Sequence, residues 1–215
     1  MTKIIIFRIA IFTIFIIISS LLSVNYQDLI GFALVLSVGL IHGANDLLII
    51  KKNSKFTSNF SQFWAFFTYI AVVFLGLIFF YLFPSFALIA FILVSIYHFG
   101  EQHLEAIPIA RSLKNNYKVI SILSHGIILF TIIFMNNIEV VNNVFLSFKI
   151  NFFNSNTLNL ILITASVIYI STLIINKYLT SFIISEILFF VLFYFLSLTS
   201  TLILCFSVYF IFFLS

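Results

Sequence analysis

The chain has 215 residues, of which 63% are hydrophobic and 7% charged, and its mean hydropathy is +1.28. Soluble domains carry about 25% charged residues, so this surface has to face lipid, and a soluble enzyme, a nucleic-acid-binding domain and a disordered tail are excluded. The ten Lys and Arg residues behind the net charge of +4 are scattered and form no stripe that could track a phosphate backbone.

A transmembrane helix needs about 20 mostly apolar residues. Such runs are predicted, in chain order, near 4–24, 29–50, 63–83, 85–103, 117–135, 157–175, 180–198 and 200–214. The last two are nearly continuous and the final one is short, so seven or eight membrane segments are expected. Polar gaps separate them at Asn25–Asp28, Lys51–Gln62, Leu104–Asn116, Asn136–Asn156 and Asn176–Lys177, with a hinge at Pro84. The runs are too long and too uniform for barrel strands. The first run is long and is followed by no A-x-A-like cleavage site, so it reads as a retained helix and not a signal peptide. The expected fold is all-α: one integral membrane domain over residues 1–215, a polytopic transmembrane helix bundle.

Charge gives an orientation. With the N-terminus in the cytoplasm and each segment crossing once, Lys3, Arg8, Lys51, Lys52, Lys55, Arg111, Lys114, Lys118 and Lys177 fall on the cytoplasmic side. Only Lys149 falls outside, a strong positive-inside bias. The expected location is the plasma (inner) membrane.

Ionisable residues within spans are costly and mark function by default. All four histidines belong to this group: His42, with Asp46, in the second segment; His98, with Glu101 and His103, at the end of the fourth; His125 in the fifth. Counted from the basic loops at ~1.5 Å per residue, His42, His98 and His125 fall in one layer near the cytoplasmic face. Three imidazoles from three helices suit a metal or proton site in a bundle core. Asp46, four residues after His42, shares its face and can orient or ligate, or else pair with Lys51 or Lys52. His103, five residues after His98, is turned about 140° away on a regular helix. Gly100 admits close approach by another backbone or by substrate. Glu186, alone in the seventh segment, reads as a polar bundle contact, and Cys205 as a small packed residue. Histidine donors without cysteine suit zinc, iron, copper or nickel. An intramembrane metalloenzyme acting on a lipid-soluble substrate, a His-based transporter or proton relay, and a haem-anchoring or structural subunit all remain open on these residues alone.

Four motifs carry a resemblance. Gly39-Leu40-Ile41-His42-Gly43-Ala44-Asn45-Asp46, Ser95-Ile96-Tyr97-His98-Phe99-Gly100, Ser124-His125-Gly126 and Tyr209-Phe210-Ile211-Phe212-Phe213-Leu214-Ser215 resemble motifs of the Brp/Blh family of β-carotene-cleaving dioxygenases associated with microbial rhodopsins. The resemblance runs from about Val35 to the last residue. It implies a polytopic membrane enzyme that splits the central double bond of β-carotene with O₂ to give two retinals, using non-haem Fe(2+) held by histidines. Carried over by position, the catalytic and metal-binding residues are His42, His98 and His125. The implied partners are β-carotene, O₂, the lipid bilayer and, functionally, a microbial rhodopsin, with no nucleic acid. Ile41 stands where the family usually has Pro, and Leu214 where it has a histidine. The C-terminal part of the family fold is therefore expected to be missing, with weaker iron affinity and impaired turnover, and His103 is the residue expected to supply the lost imidazole.

Overall fold

The computed structural model describes residues 2–37, 59–105, 115–151, 154–176 and 180–214. Among these residues there are helices and no strands. In chain order they are α1 (Thr2–Leu21), α2 (24–37), α3 (Asn59–Leu82), α4 (Pro84–Glu105), α5 (Asn115–Asn136), α6 (Ile138–Ser147), α7 (Ser155–Ile175), α8 (Thr180–Thr199) and α9 (Leu202–Leu214). Helices satisfy every backbone group internally, as a bilayer requires. Four described stretches, Pro84–Glu105, Tyr117–Asn136, Ser155–Ile175 and Phe182–Thr199, are long and apolar enough to cross a membrane. The helical membrane bundle expected from composition is what these residues form.

The expected segments correspond to α1–α5 and α7–α9 over the described residues; positions 38–50 of the second expected segment lie outside them. One element departs from expectation. The stretch Asn136–Asn156, read as a polar connection, contains α6, which buries Val141 and Phe145 on one face. That pair lies at i and i+4, enough for one short stripe of contact. Glu139 in its first turn faces the positive end of the helix dipole.

Pro84 opens α4, where its missing N–H is no loss, and so turns a continuous apolar run into the α3–α4 hairpin. A second break separates α8 from α9, and buried Gln27 fastens it. Its amide nitrogen donates to the carbonyls of Ser19 (2.8 Å) and Thr199 (3.4 Å), and its oxygen accepts from the Thr201 N–H at 2.8 Å. One side chain thus satisfies backbone groups at two helix breaks that lipid would leave unpaired.

Helix α5 is the axis of the bundle and packs on α4, α7, α8 and α9, while α1 lies against α8. Helix α4 crosses α5 at close range. A Cβ on Gly100 would fall 2.8 Å from the Ile122 carbonyl carbon, and one on Gly126 would fall 2.7 Å from that of Ile96. Each glycine therefore receives the backbone of the other helix, in the manner of small-residue contacts between membrane helices. Gly100 serves backbone approach, one of the two roles expected of it. The crossing also sets the positions of His103 and His125, three residues after Gly100 and one before Gly126.

Candidate functional site

Five helices bring polar side chains to one end of the bundle. Arg8 lies in the second turn of α1, His103 in the last turn of α4, His125 in the first half of α5, Tyr169 near the end of α7 and Glu186 in the second turn of α8. The antiparallel course of the chain puts all of these positions near the same face.

Glu186 is the hub. Its carboxylate is fully buried; Oε1 accepts from Arg8 Nη1 at 2.9 Å, and Oε2 lies 3.0 Å from His103 Nε2 and accepts from the Tyr169 hydroxyl at 2.9 Å. A buried charge persists in a bundle only when paired and hydrogen-bonded in this way. The guanidinium of Arg8 also sits 5.0 Å above the Phe189 ring, a cation–π contact in a dry environment. Arg8 therefore turns into the bundle, although the sequence places it among the charges that set topology. Glu186, read as a lone polar contact, has three partners.

His125 completes the group. Its ring is stacked on that of His103, with 3.9 Å between centroids and 26° between planes, and Nδ1 is 4.0 Å from Glu186 Oε2. Phe190 at 4.9 Å and Tyr169 at 5.3 Å close around it. Both ring nitrogens are buried, and neither has a hydrogen-bond partner. A buried polar group left unpaired costs about 1–3 kcal/mol by mutational measures, so two orphaned nitrogens on one ring make His125 a candidate ligand-binding side chain. The donor atoms of His103, His125 and Glu186 all lie within 4.8 Å of one another, and the three residues are buried.

The residues singled out in the sequence are distributed as follows. His125 is in this buried group. His98 is on the exposed side of α4, its ring beside Phe99 at 6.0 Å. Regular helix through Glu105 turns His103 away from His98 and into the core. Glu101, also on α4, accepts from the Tyr97 hydroxyl at 3.1 Å. His42, Ile41 and Asp46 lie outside the described residues, and Leu214 is the last residue of α9. Sequence reasoning missed Tyr169 and read Arg8 only as a topology charge; each is one of several polar residues on its helix, so neither stood out.

A groove between α5, α7 and α8 leads to the cluster. Its volume is about 410 Å³, and its lining includes Ile128, Leu162, Ile170 and Ile187 together with Tyr169 and Phe190, the two side chains that cover His125. The surface it offers is almost wholly apolar.

A family model described as beta-carotene 15,15'-dioxygenase matches residues 33–215. No curated protein matches the chain, and no solved structure does.

Proposed function

The chain belongs to the β-carotene 15,15'-dioxygenase family, and we propose that it acts as a membrane oxygenase that cleaves the central double bond of β-carotene with O₂. The reaction breaks one carbon–carbon double bond and gives each carbon one oxygen atom, so one carotene and one O₂ yield two retinals. The family match carries this reading. The chemistry of the bundle supports it: an apolar substrate dissolved in the bilayer needs lateral entry to a dry polar centre, and the α5–α7–α8 groove offers an apolar approach ending at Tyr169 and Phe190.

The proposed cofactor is Fe(2+). The resemblance assigns it to His42, His98 and His125, and the two buried, unpaired nitrogens of His125 fit that use. Iron, when bound, supplies the one-electron chemistry that lets O₂ react with a closed-shell alkene. The protein's own part is containment and orientation. Phe189, Phe190 and Tyr169 exclude water from the imidazoles, and Arg8 and Tyr169 hold the Glu186 carboxylate in one orientation. A transporter built on the same residues would need water paths to both faces, whereas His103, His125 and Glu186 are each at most 1% exposed. The proposed setting is the plasma (inner) membrane with the N-terminus cytoplasmic, and a retinal-using microbial rhodopsin is the proposed functional partner.

The test is retinal formation in carotene-accumulating bacterial cells. The chain is expected to produce retinal, His42→Ala and His125→Ala to abolish it, and Leu214→His to raise it. Cells that consume no carotene and form no retinal with either the chain or Leu214→His would refute the reading.

A further inference from the structure

We propose that His103, His125 and Glu186 together hold a divalent first-row transition-metal ion in the core of the bundle, as a set of two imidazoles and one carboxylate. The identity of that ion as iron rests on the oxygenase reading above; the site itself does not.

Three independent features of the cluster point to a metal. The first is distance. Metal–nitrogen and metal–oxygen bonds of about 2.1 Å place ligand atoms at right angles about 3.0 Å apart, and opposed ones about 4.2 Å apart. His103 Nε2 and Glu186 Oε2 are separated by 3.0 Å, and His125 Nδ1 and Glu186 Oε2 by 4.0 Å. With all donor atoms within 4.8 Å of one another, small side-chain shifts bring the set onto one ion. The second is the unsatisfied chemistry of His125, whose two nitrogens face a closed interior without a hydrogen bond; a structural histidine in such a core would be paired. The third is support behind the ligands. Arg8 on Oε1 and the Tyr169 hydroxyl on Oε2 fix the carboxylate from outside the set, as outer hydrogen bonds commonly fix metal ligands.

The donor set has consequences. Two histidines and one carboxylate leave open positions on the ion, the pattern associated with ferrous oxygenases, and thiolates, which would favour zinc or copper(I), are absent from it. The cluster adjoins the apolar groove, because Tyr169 and Phe190 belong both to the wall of the cluster and to the groove lining. His98, on the exposed side of α4, stands outside the set. The extra imidazole expected of His103 is then supplied to His125 and Glu186.

The experiment uses the full chain purified in detergent, stripped with chelator and titrated anaerobically with cobalt(II) chloride as a spectroscopic probe and with ferrous iron. One ion per chain is expected, with visible cobalt absorption typical of mixed nitrogen and oxygen donors. His103→Ala and Glu186→Gln are each expected to weaken binding more than a hundredfold. Glu186→Gln keeps the size of the side chain and one acceptor oxygen, enough for either Arg8 or Tyr169 but not both, so its folding, checked by thermal melting, separates lost ligation from lost structure. Glu186→Asp is expected to restore part of the cobalt signal. Failure of the chain to bind either ion, or unchanged affinity in both variants, would overturn the site. Metal bound through these residues without retinal formation would uphold the site and remove the oxygenase reading. Retinal formation with metal affinity indifferent to His103 and Glu186 but abolished by His98→Ala would do the reverse.

Discussion

Gly126→Ala tests the geometry on which the cluster depends. The new Cβ would meet the Ile96 carbonyl, 2.7 Å from its carbon, where relaxed contacts between heavy atoms stand about 3.5–4.0 Å apart. Both struck atoms belong to helical backbone, so no side-chain rotation can relieve the clash and α4 and α5 must separate by about 1 Å. A gap of that size forfeits a quarter to a half of each dispersion contact along the seam, and overpacking costs about 1–3 kcal/mol. The upper end, about 3 kcal/mol, applies because the obstruction is rigid. The same displacement would open the 3.9 Å stack of His103 on His125 by a comparable amount. Melting of the purified protein in detergent measures the stability change, with Gly76→Ala as the reference, since a Cβ there meets no atom within 4 Å. Gly76→Ala is expected to be neutral or stabilising by up to about 1 kcal/mol, as Ala replaces Gly within a helix. Equal melting temperatures for Gly126→Ala and Gly76→Ala would refute the close crossing of α4 and α5.

Other perturbations separate the polar groups. Glu186→Leu removes the acceptor of Arg8, His103 and Tyr169 at once and is expected to destabilise the protein by about 3–5 kcal/mol, since it leaves a buried guanidinium unpaired; detergent melting reads it. Arg8→Gln removes the guanidinium that fixes the Glu186 carboxylate through Oε1, so cobalt affinity is expected to fall by about tenfold or more in the titration above and the melting temperature to fall with it. Gln27→Leu leaves the Thr201 N–H and the carbonyls of Ser19, Leu22 and Thr199 without this partner and should cost about 2–3 kcal/mol, detectable as faster proteolysis at the α8–α9 break. Phe190→Trp enlarges a side chain shared by the groove and the His125 wall, and is expected to slow carotene cleavage in cells without changing metal affinity.

Much of the fold was legible because lipid imposes a simple rule: about twenty apolar residues make one crossing. The ends of α4, α5, α7 and α8 therefore fall close to the predicted segments, and Pro84 marks the α3–α4 hairpin as its chemistry requires. Helix α6 was hidden because its stripe is two residues long and sits among asparagines. The site was only partly legible. Sequence spacing places Glu101 and Asp46 beside the histidines of their own helices, but the partners of Glu186 lie 17, 83 and 178 residues away in the chain. In a membrane helix, phenylalanine and isoleucine occupy the lipid face and the core alike, so no polar stripe reveals which side turns inward. The orientation of His103 away from His98 follows from the five-residue interval, whereas its meeting with His125 depends on the α4–α5 crossing, which Gly100 and Gly126 permit but do not announce.

Conversion of β-carotene by the purified, iron-loaded chain tests the central claim most directly. Retinal is followed by chromatography under air and under argon. Two retinals per carotene are expected under air, none under argon, and none from iron-loaded His125→Ala. Carotene left intact by iron-loaded protein in air, or retinal formed equally by His125→Ala, would contradict an oxygenase centred on that buried imidazole.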